Sequence, residues 1–489
     1  MSSDDRPDGT LDPEDWEAFR AICHRAVDRM IERWAHARER PVWQSVPDAV
    51  KDALAGEGPP ERGIGLEATL RRFEELILPY PTGNTHPRFL GWVHGSGTPV
   101  GALAEFLAGA MNANLGGREH APVHVERQVI RWSRTLFGLP EGASGLLVGG
   151  TSTATLIGLA CAREAKCPGD VRREGLQGGP ARLTGYTSRE AHGSVTKAFE
   201  LLGLGREHLR LVPVDAELRM DVRALQEAVA ADRAAGFHPF CVVATAGTVN
   251  TGAIDDLAAI GHFCREQSLW LHVDAAFGGL AVLVPELAPR LAGIEQADSL
   301  AFDFHKWLHV PYDAGCVLIR DEGIHRATFA LRPDYLAAAE RGLAGGNPWF
   351  CEYGIDLSRG FRALKVWFTL LAYGLDRLGE AIARNCADAA WLGERVAETP
   401  ELELLAPVAL NIVCFRWRDG RLSPAALDAL NAAVVADLHE EGIAAPSTTQ
   451  LDGRLAIRAC LCNHRTDRSD LAALLEGVIT LARRRAATL

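Results

Sequence analysis

The first strong period in the chain is helical. From Asp15 to about Arg38 the apolar residues Trp16, Phe19, Ile22, Ala26, Met30, Ile31 and Trp34 recur on one helix face, with charged residues between them. Residues 1–15 before it carry no apolar core and are expected to lack fixed structure. From about residue 96 to residue 370 the pattern changes. Apolar runs at 183–187, 240–245, 268–275, 299–304 and 314–320 read as buried strands, and stretches at 154–165, 193–203, 221–234 and 255–267 keep a helical period around and between them. This strand–helix rhythm predicts an α/β domain with a mostly parallel sheet. A long helix over about 360–374, strands near 410–417 and 454–460 and a last helix from about 467 predict a smaller α+β part. Three sections follow: an N-terminal extension with a helical segment (1–95), a large α/β domain (96–370) and a small C-terminal domain (371–489). Residues 333–352, with glycines, a proline and few periodic apolar positions, are expected to form a mobile loop.

Composition narrows the classes. With 51 basic and 63 acidic residues the formal charge is −12, and the short cluster Arg483–Arg485 fits the last turn of a helix better than a nucleic-acid surface. The acidic N-terminus is not a signal peptide, and no apolar run is long enough to span a bilayer, so no membrane or nucleic-acid partner is expected. The 11 cysteines are scattered with no C-x-x-C pair, which reads as reduced thiols of a cytoplasmic protein without a zinc or other metal site.

Chemistry concentrates at strand ends. In SLAFDFHKWLHVPYDAGCVLI, Lys306 follows an apolar strand, where an ammonium ion is costly to bury unless it is paired or consumed in a covalent bond such as a Schiff base. Upstream, in SLWLHVDAAFGGLAV, Asp274 ends another apolar strand, and the small residues Ala275 and Ala276 then let a flat group approach the backbone. A carboxylate in such a place needs a cation. In GLLVGGTSTATLIGLACARE a short strand ends in Gly149-Gly150, and Thr151-Ser152-Thr153 open a helix, a cradle suited to a monophosphate. It has neither the lysine of a P-loop nor the spacing of GxGxxG, which argues against ATP and dinucleotides. In LTGYTSREAHGSVTKAFELLG, His192 follows a strand and opens a helix, placed to stack on a ring and to bond a carboxylate.

Taken in order, HPRFLGWV, NANLGGREHAPVHVE, GGTSTAT, YTSREAH, VATAGTVNTGAIDDL, HVDAAFGG, DFHKW, LSRGFRALKVW and RLAIRACLCN closely resemble the group II amino acid decarboxylases that use pyridoxal 5'-phosphate (PLP), among them the aromatic amino acid, glutamate and cysteine sulfinate enzymes. The resemblance implies a PLP-dependent transferase type I fold, like that of aspartate aminotransferase. It further implies a homodimer with the site at the interface and the N-terminal helix packed across the partner. The implied activity is decarboxylation of an L-amino acid to its amine. A transaminase or lyase of the same fold and a non-catalytic homologue are the alternatives.

Carried over by residue, the resemblance makes Lys306 the PLP lysine, Asp274 the partner of the pyridine nitrogen, His192 the stacked ring and Ala276 the residue on the opposite face. Gly150, Thr151 and Ser152 match the phosphate turn, His305 is a further phosphate contact, and Thr248 lies near the cofactor. Arg458 receives the substrate α-carboxylate, as its forked guanidinium in an apolar strand also suggests. Trp92 and His94 offer stacking and a hydrogen bond to the substrate. Asn112 and Asn114 resemble the Asn-x-Asn of the glutamate and cysteine sulfinate branch and point away from a purely apolar pocket. Two departures stand out. Asp303-Phe304 replaces the usual Asn-Pro, and an aspartate beside a phosphate must point elsewhere or be offset by a cation. Counting back from LSRGFRALK puts Phe350 at the position of the mobile-loop tyrosine that protonates the substrate carbanion. Phenylalanine cannot donate a proton, so oxygen-dependent release of an aldehyde is the alternative outcome, unless Tyr353 swings in.

Overall fold

The computed structural model describes residues 10–177, 182–331 and 339–487. Its strands, in chain order, are β1 (Phe89–Leu90), β2 (Ser144–Val148), β3 (Leu183–Ser188), β4 (Leu209–Val212), β5 (His238–Thr245), β6 (Trp270–Asp274), β7 (Ser299–Asp303), β8 (Gly315–Ile319), β9 (Leu402–Leu404), β10 (Ile412–Trp417), β11 (Ala445–Leu451) and β12 (Arg454–Cys460). They build two sheets, one in the order β2-β8-β7-β6-β5-β3-β4 and the other β1-β11-β12-β10-β9.

Every residue of β2, β6, β7 and β8 is buried, so their unbroken apolar runs belong in a sheet covered on both faces. β4, β3, β5, β6 and β7 are parallel neighbours, whereas β8 runs antiparallel to both β7 and β2. The helix Thr151–Lys166 packs on β6, β7 and β8. Its approach to the sheet is close: a Cβ on Gly158 would lie 2.7 Å from His272 Nδ1.

The second sheet carries a core of its own, which includes Leu90, Val413, Phe415 and Ile457. β1 joins it in parallel with β11 through Phe89 opposite Ala445, so an N-terminal segment completes the C-terminal sheet. Trp92 lies just after this junction, and its carbonyl accepts from Arg458 of β12. The helix expected over 360–374 is the first third of Arg362–Glu398. It ends at Gly374, whose φ of 71° and ψ of 162° break the helical path, and residues 375–398 then run along the second sheet.

Trp16–Ala35 is helical as its period predicts, with the Asp15 side chain accepting the N–H groups of Glu17 and Ala18, and it buries none of its residues in the chain. Of the segments expected to be mobile or without structure, residues 1–9 and 333–338 lie outside the described residues. Among the described residues no helix is long and apolar enough to cross a membrane, and no cluster of His, Cys, Asp and Glu is placed to hold a metal. None of the 11 cysteines is in a disulfide among the described residues.

Candidate active site

The carboxyl ends of β5, β6 and β7 lie side by side, with Thr245 opposite Asp274 and Asp274 opposite Ala301. Open α/β sheets gather ligands at such ends. The Asp274 carboxyl is buried, and its Oδ1 accepts the Ala276 N–H at 3.1 Å. Burial pushes its pKa up, opposed chiefly by the Lys306 ammonium. Beyond β7 a single helical turn, Phe304–Trp307, folds the chain back so that positions 303 and 306 share a face. Lys306 Nζ lies 2.9 Å from Asp303 Oδ2 and His305 Nε2 3.7 Å from the same oxygen. The cation that the sequence requires beside Asp303 is therefore Lys306 itself.

The turn after β2 opens the helix at Thr151 against the same strand ends. Gly150 approaches His305 and Asp303, and a Cβ on Gly315 would lie 2.6 Å from the Gly150 Cα, which makes this close crossing depend on glycine. Ser152 is exposed at the helix start. The Thr151 hydroxyl, the Thr245 hydroxyl and Asp303 Oδ1 are buried without a hydrogen-bond partner. The orphaned Thr151 hydroxyl, the free N–H groups of the helix start and the imidazole of His305 beside Gly150 form a donor set that fits a phosphate, with Asp303 paired to Lys306.

His192 stands at the mouth of the site. Its Nδ1 accepts the Ser194 N–H at 3.2 Å and pairs with the Ser194 hydroxyl at 2.8 Å, so the ring proton is on Nε2 and faces away from the helix. Burial holds its pKa down and Lys306 adds to this, while Asp274 opposes it. Ala276, half-buried, accepts the Asp303 N–H through its carbonyl at 3.1 Å and keeps the space beside Asp274 small-sided.

Aromatic rings form one wall. Trp92 adopts a left-handed φ of 48°, and its ring lies 5.4 Å from that of His94, which stacks on Phe89 at 5.8 Å. Tyr312, which the sequence reading did not single out, continues the wall, 6.1 Å from His94 and 4.4 Å from His305. Burial, aided by Lys306, lowers the His94 pKa, so this wall belongs to the lysine site.

Several side chains are engaged otherwise than expected. Arg458 is buried, but its Nε donates to the Asn250 carbonyl at 3.1 Å, Nη1 to the Trp92 carbonyl at 3.1 Å and to Ser447 Oγ at 3.3 Å, and Nη2 to the Val249 carbonyl. Four of its five N–H groups are thereby used to tie the 249–250 loop and Trp92 to β12, and a bidentate carboxylate has no complete fork left. We expect Arg458→Ala to lower unfolding stability by about 2 kcal/mol or more, through the stranded carbonyls, with partial recovery in Arg458→Lys; denaturant unfolding measures it. The Thr248 hydroxyl bonds inside its own loop, to Thr251 at 3.1 Å and the Ala253 N–H at 3.1 Å. Asn112 caps the helix Pro99–Met111 in a left-handed turn, and Asn114 Oδ1 accepts the N–H groups of Gly116 at 2.9 Å and Arg359 at 3.0 Å.

Phe350 and Tyr353 correct the loop expectation. Phe350 is packed into the core beneath the Arg359 guanidinium, 5.1 Å from its ring, and Tyr353 donates its hydroxyl to Glu322 while its ring meets His325 at 5.0 Å. Burial and Glu322 raise the Tyr353 pKa. The core holds the Phe350 ring, and Glu322 engages the Tyr353 hydroxyl.

The family model for the pyridoxal-dependent decarboxylase conserved domain matches residues 53–418. The chain is 33% identical to an aromatic-L-amino-acid decarboxylase of Bacillus atrophaeus, over 95% of this chain and 96% of that one. Among solved structures it is similar to Oryza sativa TDC with PLP and tryptamine, with a TM-score of 0.88 and 26% identity over 97% of this chain and 100% of that one. It also resembles Rhodiola rosea 4-hydroxyphenylacetaldehyde synthase, with a TM-score of 0.85 and 26% identity over 97% of this chain and 99% of that one. The cofactor these matches imply, pyridoxal 5'-phosphate, agrees with the lysine, the buried carboxylate and the phosphate-shaped donor set. The chain belongs to the pyridoxal-dependent decarboxylase family.

Proposed function

We propose that the protein removes the α-carboxyl group of an aromatic L-amino acid, giving the amine and carbon dioxide, with Lys306 as the residue that carries PLP. The observation that supports this most is the meeting of Lys306, Asp274 and the Gly149–Ser152 turn at adjoining strand ends. When bound, the cofactor supplies the electron sink that lets carbon dioxide leave. Asp274 holds a proton at the pyridine nitrogen, and Thr151, Ser152 and His305 hold the phosphate. His192 offers its Nε2–H to the substrate carboxylate, and Arg458 acts by fixing the loop and wall that face the substrate.

An aromatic side chain is favoured by the wall of Trp92, His94 and Tyr312, in which His94 feels the Lys306 charge and Tyr312 meets His305. The activity named for the Bacillus relative agrees with this. Incubation with a panel of L-amino acids, with carbon dioxide, amine, aldehyde and peroxide measured together, tests both substrate and product. Turnover of glutamate or cysteine sulfinate in preference to the aromatic acids would overturn the aromatic reading.

For the proton that completes the amine, the one tyrosine within 333–352 is Tyr335, in LRPDYLAAAE, among the residues that are not described. Tyr335→Phe is expected to shift the product from amine towards aldehyde and peroxide, whereas Tyr353→Phe leaves the ratio unchanged. The reverse pattern would restore Tyr353 as the donor.

A homodimer is proposed from exposed apolar side chains. Leu103 and Phe106 on the helix Pro99–Met111, Leu371 and Leu375 near the Gly374 break, and Trp16 and Ile31 on the first helix are all about half exposed or more within one chain. Sedimentation at micromolar concentration is expected to give a dimer, and Phe106→Asp to weaken it.

A further inference from the structure

Asp303 places a carboxylate where a phosphate would add still more negative charge. It ends β7, is 2% exposed, and its N–H is held by the Ala276 carbonyl at 3.1 Å. One helical turn brings Lys306 Nζ to 2.9 Å from Oδ2. His305 Nδ1 accepts the Ala314 N–H at 3.1 Å, which leaves the ring proton on Nε2, turned towards the same oxygen at 3.7 Å. Oδ1 has no partner and occupies the gap beside Gly150 and Gly315, where a Cβ on Gly315 would lie 2.6 Å from it. The backbone thus leaves room for this carboxylate and directs it at the lysine.

We propose that Lys306 rests as an ion pair with Asp303 and is thereby a masked nucleophile, which condenses with an aldehyde only after its proton has been given up. The functional meaning rests on Lys306 being the cofactor lysine; the ion pair itself does not. Burial alone pulls the Lys306 pKa down, but Asp303, helped by Asp274, more than reverses this and the net direction is up. The other titratable groups around the amine are the imidazoles of His94, His192 and His305 and the thiols of Cys460 and Cys462. None of these supplies a second anion comparable to the two carboxylates while the thiols stay protonated, as burial keeps them.

In the condensation Nζ releases a proton to solvent and its lone pair attacks the aldehyde carbon. A C=N bond forms, and the carbonyl oxygen leaves as water. Asp303→Asn keeps the shape and removes the charge that retains the proton.

The full chain, freed of cofactor with hydroxylamine, is treated at about pH 6 to 10 with pyridoxal or with pyridoxal 5'-phosphate, and adducts at Lys306 are trapped with borohydride and counted by mass spectrometry. Asp303→Asn is expected to move the midpoint of the pH–rate profile down and to speed condensation with both aldehydes by about tenfold at pH 7, as one unit of pKa dictates. An unmoved midpoint overturns the proposal. So does a gain confined to the phosphate-bearing aldehyde, which would place the effect of Asp303 on the phosphate alone.

Wild-type protein gives a check that needs no variant. In acylation across the same pH range the midpoint for Lys306 is expected at or above that of the exposed Lys197, and a midpoint below it overturns the ion pair. No adduct at Lys306 with either aldehyde sinks the cofactor assignment instead, and the acylation midpoint then still decides the ion pair.

Discussion

Lys306→Ala is expected to yield a protein with no borohydride-reducible attachment of PLP and with decarboxylation lower by about 10⁴-fold or more, the upper end of what one positioned proton-transfer group contributes. On the proposed assignment the lysine would combine two tasks in one atom, its Nζ being both the point of attachment and a base beside the substrate. The loss should therefore exceed that of any other single change. Because the substitution leaves Asp303 buried without its cation, a fall in stability is also expected, and Lys306→Ala combined with Asp303→Asn should recover it. Absorbance of the bound cofactor and single-turnover carbon dioxide release measure the chemistry, and thermal unfolding measures the fold. Retention of a reducible adduct in Lys306→Ala would move the cofactor to another lysine. The chain has only Lys51, Lys166, Lys197 and Lys365 besides, and Lys365 is buried against Glu105.

Asp274→Asn is expected to lower turnover by about 10²–10³-fold while PLP stays attached to Lys306, in line with the removal of one preorganised electrostatic contact. Burial raises the Asp274 pKa because a lone carboxylate is poorly solvated at the strand end; paired there with a pyridine nitrogen, Asp274 would gain the opposite charge it lacks and would hold that nitrogen protonated. An amide of the same shape accepts and donates hydrogen bonds but holds no proton on the ring. The Ala276 N–H can still bond the amide oxygen, so the local turn should survive. A parallel loss of cofactor attachment and turnover would show instead that Asp274 is structural.

Many of the strands and helices around the site were readable because their chemistry is local. β6, β7 and β8 are continuous apolar runs, and the helices Thr151–Lys166 and Val222–Ala234 repeat at 3.6 residues with a recognisable start. β11, written APSTTQL, was not readable. It has polar residues and one exposed face, and it is a strand because β12 and β1 supply its ladder. The two-residue β1 has no pattern at all. Its partner lies more than 350 positions away, at Ala445 and Pro446.

The site divides in the same way. Lys306, Asp274, His192 and the Gly149–Ser152 turn were visible in the sequence, because each stands at a strand-to-helix junction whose residue types make little sense as packing alone. What those side chains hold depended on which segments meet. Arg458 looked like a free fork for a carboxylate and is occupied by carbonyls of residues 92, 249 and 250. Phe350 and Tyr353 looked like loop residues and lie in the core, since a ring's burial depends on neighbours far away in the chain. Tyr312 drew no notice until the fold set it against His305 and His94. The amino-acid order by itself determined the strand ends and the reactive groups placed on them, because periodicity and the cost of burying charge act over a few residues. Only the tertiary structure decided that the Asp303 carboxylate is enclosed where it meets Lys306: the lysine comes from the next helical turn, but the room for the carboxylate comes from Gly150 and Gly315, which other segments bring to it.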